Sequence, residues 1–321
     1  MREKGVVFCG LLLLLALPNI AGVLDDPYLV TLFTRIVIYA LAAVSLDFIL
    51  GYGRMVSLGH AAFFGLGGYV VGILATNLAS GDGAAVLASN AALVSLPAAA
   101  LVAAALALLV GAICLRTSGV YFIMITLAFA QMLYFLFVSL PAYGGEDGLP
   151  LWGRNELPGL DLSDDVTFYY LCLFCLIVYL LLCRRAIAAR FGLVIRGAGA
   201  NERRMLALGF PVYRYKLTAF VIAAAGAGLA GGLIANQAEF VSPNTLHWFQ
   251  SGEILVMVLL GGMGTLYGPV FGAPAFILLE EILAGYTEHW MVFLGPILVL
   301  VVLFARGGLY PLLAGSGGRH G

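Results

Sequence analysis

Charge is what this 321-residue sequence has least of. Only 10% of its residues are Asp, Glu, Lys or Arg, against about 25% in an ordinary soluble domain. A chain that is 62% hydrophobic, with a mean hydropathy of +1.04, lacks the polar residues to cover itself with water-compatible surface. A soluble globular protein is thereby excluded, and the bilayer becomes the natural solvent. The net charge of −1 leaves no overall basic field for nucleic acid.

Side chains that carry chemistry are equally sparse. The histidines (His60, His247, His289 and His320) are scattered, and none stands at H-x-x-x-H spacing, so no metal site is expected. No G-x-S-x-G elbow occurs, and Ser251-Gly252 has no histidine base nearby, so no catalytic residue is expected. No G-x-x-x-x-G-K-[ST] occurs either, so the chain does not hydrolyse ATP through a phosphate-binding loop and no cofactor-binding residue is expected. The five cysteines lie in or at the edge of apolar runs. Cys172 and Cys175 form a C-x-x-C inside the apolar run 169–183, without a second pair, and read as small apolar filler.

What the sequence does have is a succession of apolar runs. A membrane-spanning helix needs about 20 mostly apolar residues. Ten candidates run near 5–24, 28–50, 59–79, 92–114, 119–140, 166–183, 217–236, 251–263, 269–285 and 289–305. The expected fold is an all-α membrane protein, a polytopic bundle of 8–10 transmembrane helices. The lower number allows for 251–263 and 269–285, which are short, share the Gly-rich junction 261–269, and read as two spans or a re-entrant pair. The first run, preceded by Arg2 and Lys4, has the flavour of a signal peptide. It is read as an uncleaved helix because another span, not a soluble domain, follows it.

Loop charges orient the bundle. With the N-terminus cytoplasmic, Arg2, Lys4, Arg54, Arg116, Arg306, Arg319 and the loop 184–216 fall inside. That loop holds Arg184, Arg185, Arg190, Arg196, Arg203, Arg204, Arg214 and Lys216 against Glu202 alone. Asp25, Asp26, Asp82 and the acidic loop 141–165 fall outside, the latter with Glu146, Asp147, Glu156, Asp161, Asp164 and Asp165 against Arg154. Of 16 basic residues only Arg154 and Arg35 depart from this arrangement. The expectation is a multi-pass protein of a bacterial inner membrane with both termini cytoplasmic. No domain boundary is visible, so 1–321 reads as a single transmembrane domain with a cytoplasmic loop at 184–216, a periplasmic loop at 141–165 and a frayed tail at 315–319.

The 41 glycines suit lipid, where small residues let helix backbones approach. Gly68-x-x-x-Gly72, Gly228-x-x-x-Gly232 and Gly268-x-x-x-Gly272 are such ridges. Gly226-Ala227-Gly228-Leu229-Ala230-Gly231 also matches the dinucleotide fingerprint, but it lies inside an apolar span with no βαβ context, so helix packing is the reading.

Ionisable and polar groups inside spans are costly and mark functional candidates. Asp47, His60, Gln131 and Glu253 are the candidates for a translocation pathway. Asp47 stands about 18 Å along one helix from Arg35, so the two cannot pair; a basic group of a neighbouring helix or loop is its expected partner. Arg35 reads as snorkelling to the outer headgroups. His60 follows the polar break Gly53–Gly59, where Ser57 is placed to cap the next helix. It is either a structural histidine tied to backbone carbonyls or a gating residue. Glu253 is expected to open a helix, where a carboxylate suits the positive terminus.

Within the basic loop, 198–209 reads as a short helix with Asn201 as N-cap, Gly209 just past its end and Pro211 blocking continuation. Met205, Leu206 and Leu208 give it an apolar side, and Arg203 and Arg204 a basic one. Such a bounded helix suits docking into a groove on another protein more than lying on anionic lipid.

Three stretches, in order along the chain, resemble the branched-chain amino acid permeases of ATP-binding-cassette importers, the LivM type. They are Leu50-Gly51-Tyr52-Gly53 with Ser57-Leu58-Gly59-His60-Ala61-Ala62-Phe63-Phe64-Gly65; Arg116-Thr117-Ser118-Gly119-Val120-Tyr121-Phe122 with Thr126-Leu127-Ala128-Phe129-Ala130-Gln131-Met132; and Gly209-Phe210-Pro211-Val212 with Tyr215-Lys216 and Val258-Leu259-Leu260-Gly261-Gly262-Met263-Gly264-Thr265. Tyr286-Thr287-Glu288-His289-Trp290 also fits. The resemblance implies a permease subunit that is itself no enzyme. Its implied partners are a second permease in a heterodimer, two cytoplasmic ATPases that use ATP and Mg²⁺, and a periplasmic substrate-binding protein. It further implies that Asn201, Glu202, Arg203, Arg204, Leu206, Leu208 and Gly209 meet an ATPase. One departure is visible: such permeases often carry E-A-A-x-x-x-G here, whereas Arg203-Arg204 follow Glu202 and Gly209 stands seven positions on. Aliphatic amino acids are the implied substrate, with urea or short amides as the alternative in the same family. An ion-coupled secondary transporter is a further alternative, with Asp47 its one candidate relay.

Overall fold

The computed structural model describes residues 5–6, 10–18, 27–80, 90–287, 289, 292–296, 299 and 307–314. The helices are α1 (10–18), α2 (Pro27–Leu50), α3 (His60–Ser80), α4 (Ala92–Cys114), α5 (Val120–Val138), α6 (Asp165–Ala188), α7 (Arg190–Ala200), α8 (Glu202–Ala207), α9 (Val212–Ala238), α10 (Trp248–Gly261), α11 (Gly268–Tyr286), α12 (292–296) and α13 (Leu309–Ala314). One small departure from an all-helical chain is an antiparallel pair, β1 (Leu149–Pro150) with β2 (Phe240–Val241).

Among the described residues, α2, α3, α4, α5, α6, α9 and α11 are long and apolar enough to cross a membrane. The chain is an all-α, multi-pass membrane protein. The expected span at 251–263 is instead α10, a helix of 14 residues, about 21 Å long and short of the roughly 30 Å hydrocarbon core. Large parts of the expected spans 5–24 and 289–305 lie outside the described residues. So do Arg2, Lys4, Cys9, Asp25, Asp26, Asp82, Glu288, Trp290, Arg306, Arg319, His320 and the tail 315–319.

Helices α2 and α9 form the centre. From Ile36 to Leu50 every residue of α2 is buried. Helix α9 lies against α2, α3 and α4. Its glycines decide how closely: a Cβ placed on Gly231 would run into the carbonyl oxygen of Phe64, and one on Gly67 of α3 into that of Gly228. The two backbones are in contact, so the G-x-G-x-x-G stretch is a helix-crossing seam. Cys114, Cys172, Cys175 and Cys183 carry free thiols within the packed helices.

The ends of the bundle carry opposite charge, and both are more ordered than loops. At the acidic end, residues 141–164 fold back on the helix termini. Arg154 donates to the carbonyls of Leu162 (3.2 Å) and Ser163 (3.4 Å), pairs with Asp165, and lies 4.9 Å over the Phe168 ring. The Asn155 amide N–H donates to Asn236 Oδ1 (2.8 Å), the Asn155 side chain donates to Ser95 Oγ, and Asn236 donates to the Gly232 carbonyl (2.8 Å). Asn155, Asn236 and Ser95 are all buried. Asp164 caps α6, its carboxylate accepting from the Thr167 amide (3.0 Å) and hydroxyl (2.8 Å). These bonds hold its carboxyl below the ordinary value. At the basic end, the expected loop 184–216 is the last turns of α6, then α7, α8 and the first turn of α9.

Candidate functional site at the basic end

The short helix α8 has the boundaries that its capping residues dictate, with one correction. Asn201 Oδ1 accepts from the Arg204 amide at 3.0 Å, as an N-cap should. Gly209 has φ +84°, its amide donates to the Leu206 carbonyl (2.9 Å) and the Phe210 amide donates to that of Met205 (3.2 Å). Those two bonds complete a Schellman C-terminus, which requires a left-handed residue such as glycine. The correction is that Ala198–Ala200 are the end of a separate helix, α7, and not the start of α8.

The packing of α8 separates its residues into two sets. Glu202 is ion-paired with Lys216 of α9 at 2.6 Å, and Met205 packs on Gly197 of α7. Asn201, Arg203, Arg204, Leu206, Leu208 and Gly209 are exposed. Leu206 and Leu208 keep 55% and 65% of their surface uncovered. They follow two exposed arginines at the end of a helix held from behind, an arrangement suited to entering an apolar groove with an acidic rim.

Helix α7 carries α8 on the bundle. Phe191 stacks on Phe48 of α2 (6.4 Å between centroids) and tilts against Tyr215 of α9 (5.7 Å). The Arg196 guanidinium lies 5.7 Å over the ring of Tyr52 and donates to the Ile187 carbonyl (2.9 Å). Tyr52 sits just past the end of α2, and its hydroxyl accepts from the Leu266 amide (3.1 Å) in the turn between α10 and α11. Burial pushes the Tyr52 phenol up to about 12, and the nearby Asp47 carboxylate adds to the rise. The hydroxyl therefore stays protonated at physiological pH.

The four pathway candidates occupy four separate settings. Asp47 is fully buried, but its partner is no basic group: Oδ1 accepts from the Gly264 amide at 2.7 Å, while Oδ2 is buried without a hydrogen bond. His60 is buried and bonded through Nε2 to Ser45 Oγ (2.7 Å) rather than to backbone carbonyls. Ser45 gives its one hydroxyl proton to the Ala42 carbonyl (2.7 Å), so satisfying both contacts requires the proton on Nε2. Gln131 is half-buried, with Nε2 enclosed and unbonded. Glu253 is the sixth residue of α10, not its opening one, and accepts from Gln250 (2.7 Å). Among the described residues no hydrogen bond or ion pair joins any two of the four.

One further expectation is overturned, and another gains a partner. Ser57 does not cap α3: its hydroxyl accepts from the Gly59 amide (3.3 Å), before the helix begins. The Ala61 amide is capped instead by Ser251 Oγ at 2.8 Å, from a residue 190 positions away. Ser251 thus lies beside the neighbour of a histidine that its sequence surroundings do not contain, although that imidazole is turned to Ser45. Arg35 does not snorkel alone: it pairs with Glu280 of α11 at 3.5 Å and lies 5.8 Å over the Tyr39 ring. Sequence reasoning missed Tyr52, Gly264, Ser45 and Ser251. For Tyr52 the flanking glycines were a signal of close backbone approach; for the two serines nothing local marks the partner.

Comparison of the sequence with known proteins identifies its family. Residues 28–302 match the family model described as branched-chain amino acid transport system / permease component. The high-affinity branched-chain amino acid transport system permease protein LivM of Salmonella typhimurium is 29% identical over 307 residues, covering 88% of this chain and 70% of that protein. The protein of the same name from Escherichia coli K12 shows the same identity and coverage. The L-arabinose ABC transporter permease protein AraH of Azospirillum brasilense is 30% identical over 122 residues, 36% of each chain. No solved structure matches.

Proposed function

The chain belongs to the family of branched-chain amino acid transport system permease components, and from that premise we propose that it is the membrane-spanning subunit of an ATP-driven importer of branched-chain amino acids. Its basic end faces the cytoplasm and its acidic end the periplasm, in keeping with the distribution of Arg and Lys. A second permease completes the pathway. Two cytoplasmic ATPases use ATP and Mg²⁺, one of them docking on α8, and a soluble binding protein delivers substrate to the acidic end. The chain supplies no hydrolytic residue of its own. Closure of the ATPases moves α7 and α8, and the bundle alternates access to its two sides.

The observation that carries this reading is the pair of exposed leucines, Leu206 and Leu208, beside Arg203 and Arg204 on a helix capped at both ends. A helix so short does not hold itself together in water; here capping, the Glu202–Lys216 pair and Met205 hold it, leaving its outward side for a partner. Combined replacement of Arg203, Arg204 and Leu206 by alanine tests the assignment. In the reconstituted importer, co-purification of the ATPase and leucine uptake are expected to fall by about tenfold or more, the loss from removing one or two anchoring contacts of ~1.4 kcal/mol. Survival of both uptake and substrate-stimulated ATP hydrolysis overturns the assignment. Uptake by the chain alone under an ion gradient would instead make it a secondary transporter.

A further inference from the structure

The turn that follows α2 is clamped between two elements that never touch it in sequence. On one side, Arg196 of α7 lies 5.7 Å over the Tyr52 ring. A Cβ placed on Gly199 would stand 3.1 Å from the Tyr52 carbonyl oxygen, so α7 rests closely on this turn and a side chain there would press on its backbone. On the other side, the Leu266 amide donates to the Tyr52 hydroxyl (3.1 Å) and the Gly264 amide to Asp47 (2.7 Å). A Cβ on Gly51 would run into the backbone of Gly264. Residues 51–53 are therefore in backbone contact with both α7 and the α10–α11 junction.

That junction is built to change direction. Gly262 and Gly264 have φ +114° and +76°, conformations that residues with a Cβ rarely adopt. Thr265 holds the turn by donating to the Gly262 carbonyl (2.5 Å). The helices on either side lead away from the basic end. Helix α10 carries Ser251 to the N-terminus of α3, beside His60. Helix α11 carries Glu280 and Glu281 to Arg35 and Tyr28 on α2. A displacement of the junction thus bears on the start of α3 and on the far half of α2.

We propose that Tyr52 is the positioning residue through which movement of α7 and α8 passes to the α10–α11 junction. This rests on the reading of α8 as the element an ATPase engages. In this role Tyr52 acts through Arg196 and the Leu266 amide, and not by contact with substrate or ATPase. Its ring follows Arg196 on α7, and its hydroxyl holds the Leu266 amide. Asp47 ties the junction to the buried half of α2; among the described residues, Tyr52 adds a side-chain tie between the junction and α7. Two groups joined through one side chain, packed against backbone without slack, shift together.

The test uses the complete importer in nanodiscs, with the five native cysteines replaced by alanine and an environment-sensitive fluorophore on Met263→Cys. Met263 is 53% exposed within the junction. ATP with vanadate is expected to change the emission of the parent complex. Tyr52→Phe keeps the ring and deletes the acceptor. It is expected to cut that response about fivefold, the factor associated with one hydrogen bond, while the ATPases still co-purify and hydrolyse ATP. Arg196→Gln, at an exposed position, is expected to cut it about threefold through loss of the cation–π contact, and it serves if Tyr52→Phe does not fold. A response in both variants equal to that of the parent overturns the proposal, as does a parent that hydrolyses ATP without any change at Met263. Loss of the ATPases from a folded Tyr52→Phe complex also overturns it, because Tyr52 would then belong to docking. If the parent itself fails to retain ATPases, the reading of α8 fails first and this inference with it. An intact parent whose Arg203, Arg204 and Leu206 variant sheds them isolates the role of Tyr52.

Discussion

At the acidic end of the bundle, Arg154, Asn155, Asn236 and Ser95 are all turned inward, each bonded to another part of the same chain. At the basic end, Arg203, Arg204, Leu206 and Leu208 are exposed and their side chains form no hydrogen bond or ion pair among the described residues, while Glu202, Met205, Phe191 and Arg196 hold them from behind. Both regions are polar segments joining apolar helices, and composition alone would call both of them loops. One is a closed structure tied to the ends of α4, α6 and α9. The other is a platform that presents side chains. The difference predicts where mutations cost stability and where they cost only activity.

The largest stability effect is expected from Asn236→Leu. It removes the acceptor of the buried Asn155 amide and the bond to Gly232, leaving a donor enclosed and unpaired, a loss of roughly 1–3 kcal/mol. A lowered unfolding midpoint in detergent, with the ATPase still bound, is the expected result; an unchanged midpoint breaks the contrast between the ends. Next comes Arg154→Ala, which frees the Leu162 and Ser163 carbonyls and uncovers Phe168. About 1–2 kcal/mol is expected because the paired Asp165 is partly solvated. Proteolysis between 155 and 164 should accelerate accordingly. At the basic end, Leu208→Ser should change stability by no more than about 0.5 kcal/mol, since the residue is exposed. Uptake should nevertheless fall, and a shift in midpoint comparable to that of Arg154→Ala would erase the distinction.

The smallest effect is one of pH at the acidic end. The Thr167 hydroxyl and amide hold the Asp164 carboxyl below its ordinary value of 3.8. A carboxyl depressed in the folded state contributes stability that is fully present above its unfolded value and disappears as pH falls through the folded one. The cap of α6 should therefore weaken only below about 3.8. Asp164→Asn, whose amide oxygen still caps the helix, should flatten that slope and leave stability at neutral pH nearly unchanged. A slope that persists in the variant assigns the acid sensitivity to another group.

Much of the molecule was legible along the chain. Apolar runs longer than a bilayer's width announced the spanning helices. Asn201 and Gly209 announced the ends of α8, because helix caps are local chemistry. Gly228 and Gly231 announced a close helix crossing, though not its partner. Sequence reasoning went wrong where partners lie far apart in the chain. Asp47 was expected to meet a base, and a backbone amide 217 positions away binds one of its two oxygens instead. Ser57 was expected to cap α3, and Ser251 does. For Arg35 the sequence was incomplete rather than wrong: besides the headgroups it was read as reaching for, Glu280 lies within its reach.

Helices α2 and α5 mark the boundary between the two kinds of knowledge. Both are long apolar helices, yet 78% of the apolar stretch of α2 is buried and only 28% of that of α5. In water, amphipathic periodicity would separate a core helix from a peripheral one. In lipid it does not, because a tail-facing side chain is as apolar as a buried one. The sequence by itself determined that the chain spans a membrane, that its loop charges divide into a basic and an acidic end, and how α8 begins and ends. All of these follow from solvent transfer, charge and local backbone bonding. Only the tertiary structure decided which helices form the centre, what holds Asp47 and His60, and that Tyr52 stands between α7 and the turn at Leu266. Those are matters of packing between segments that the sequence order keeps apart.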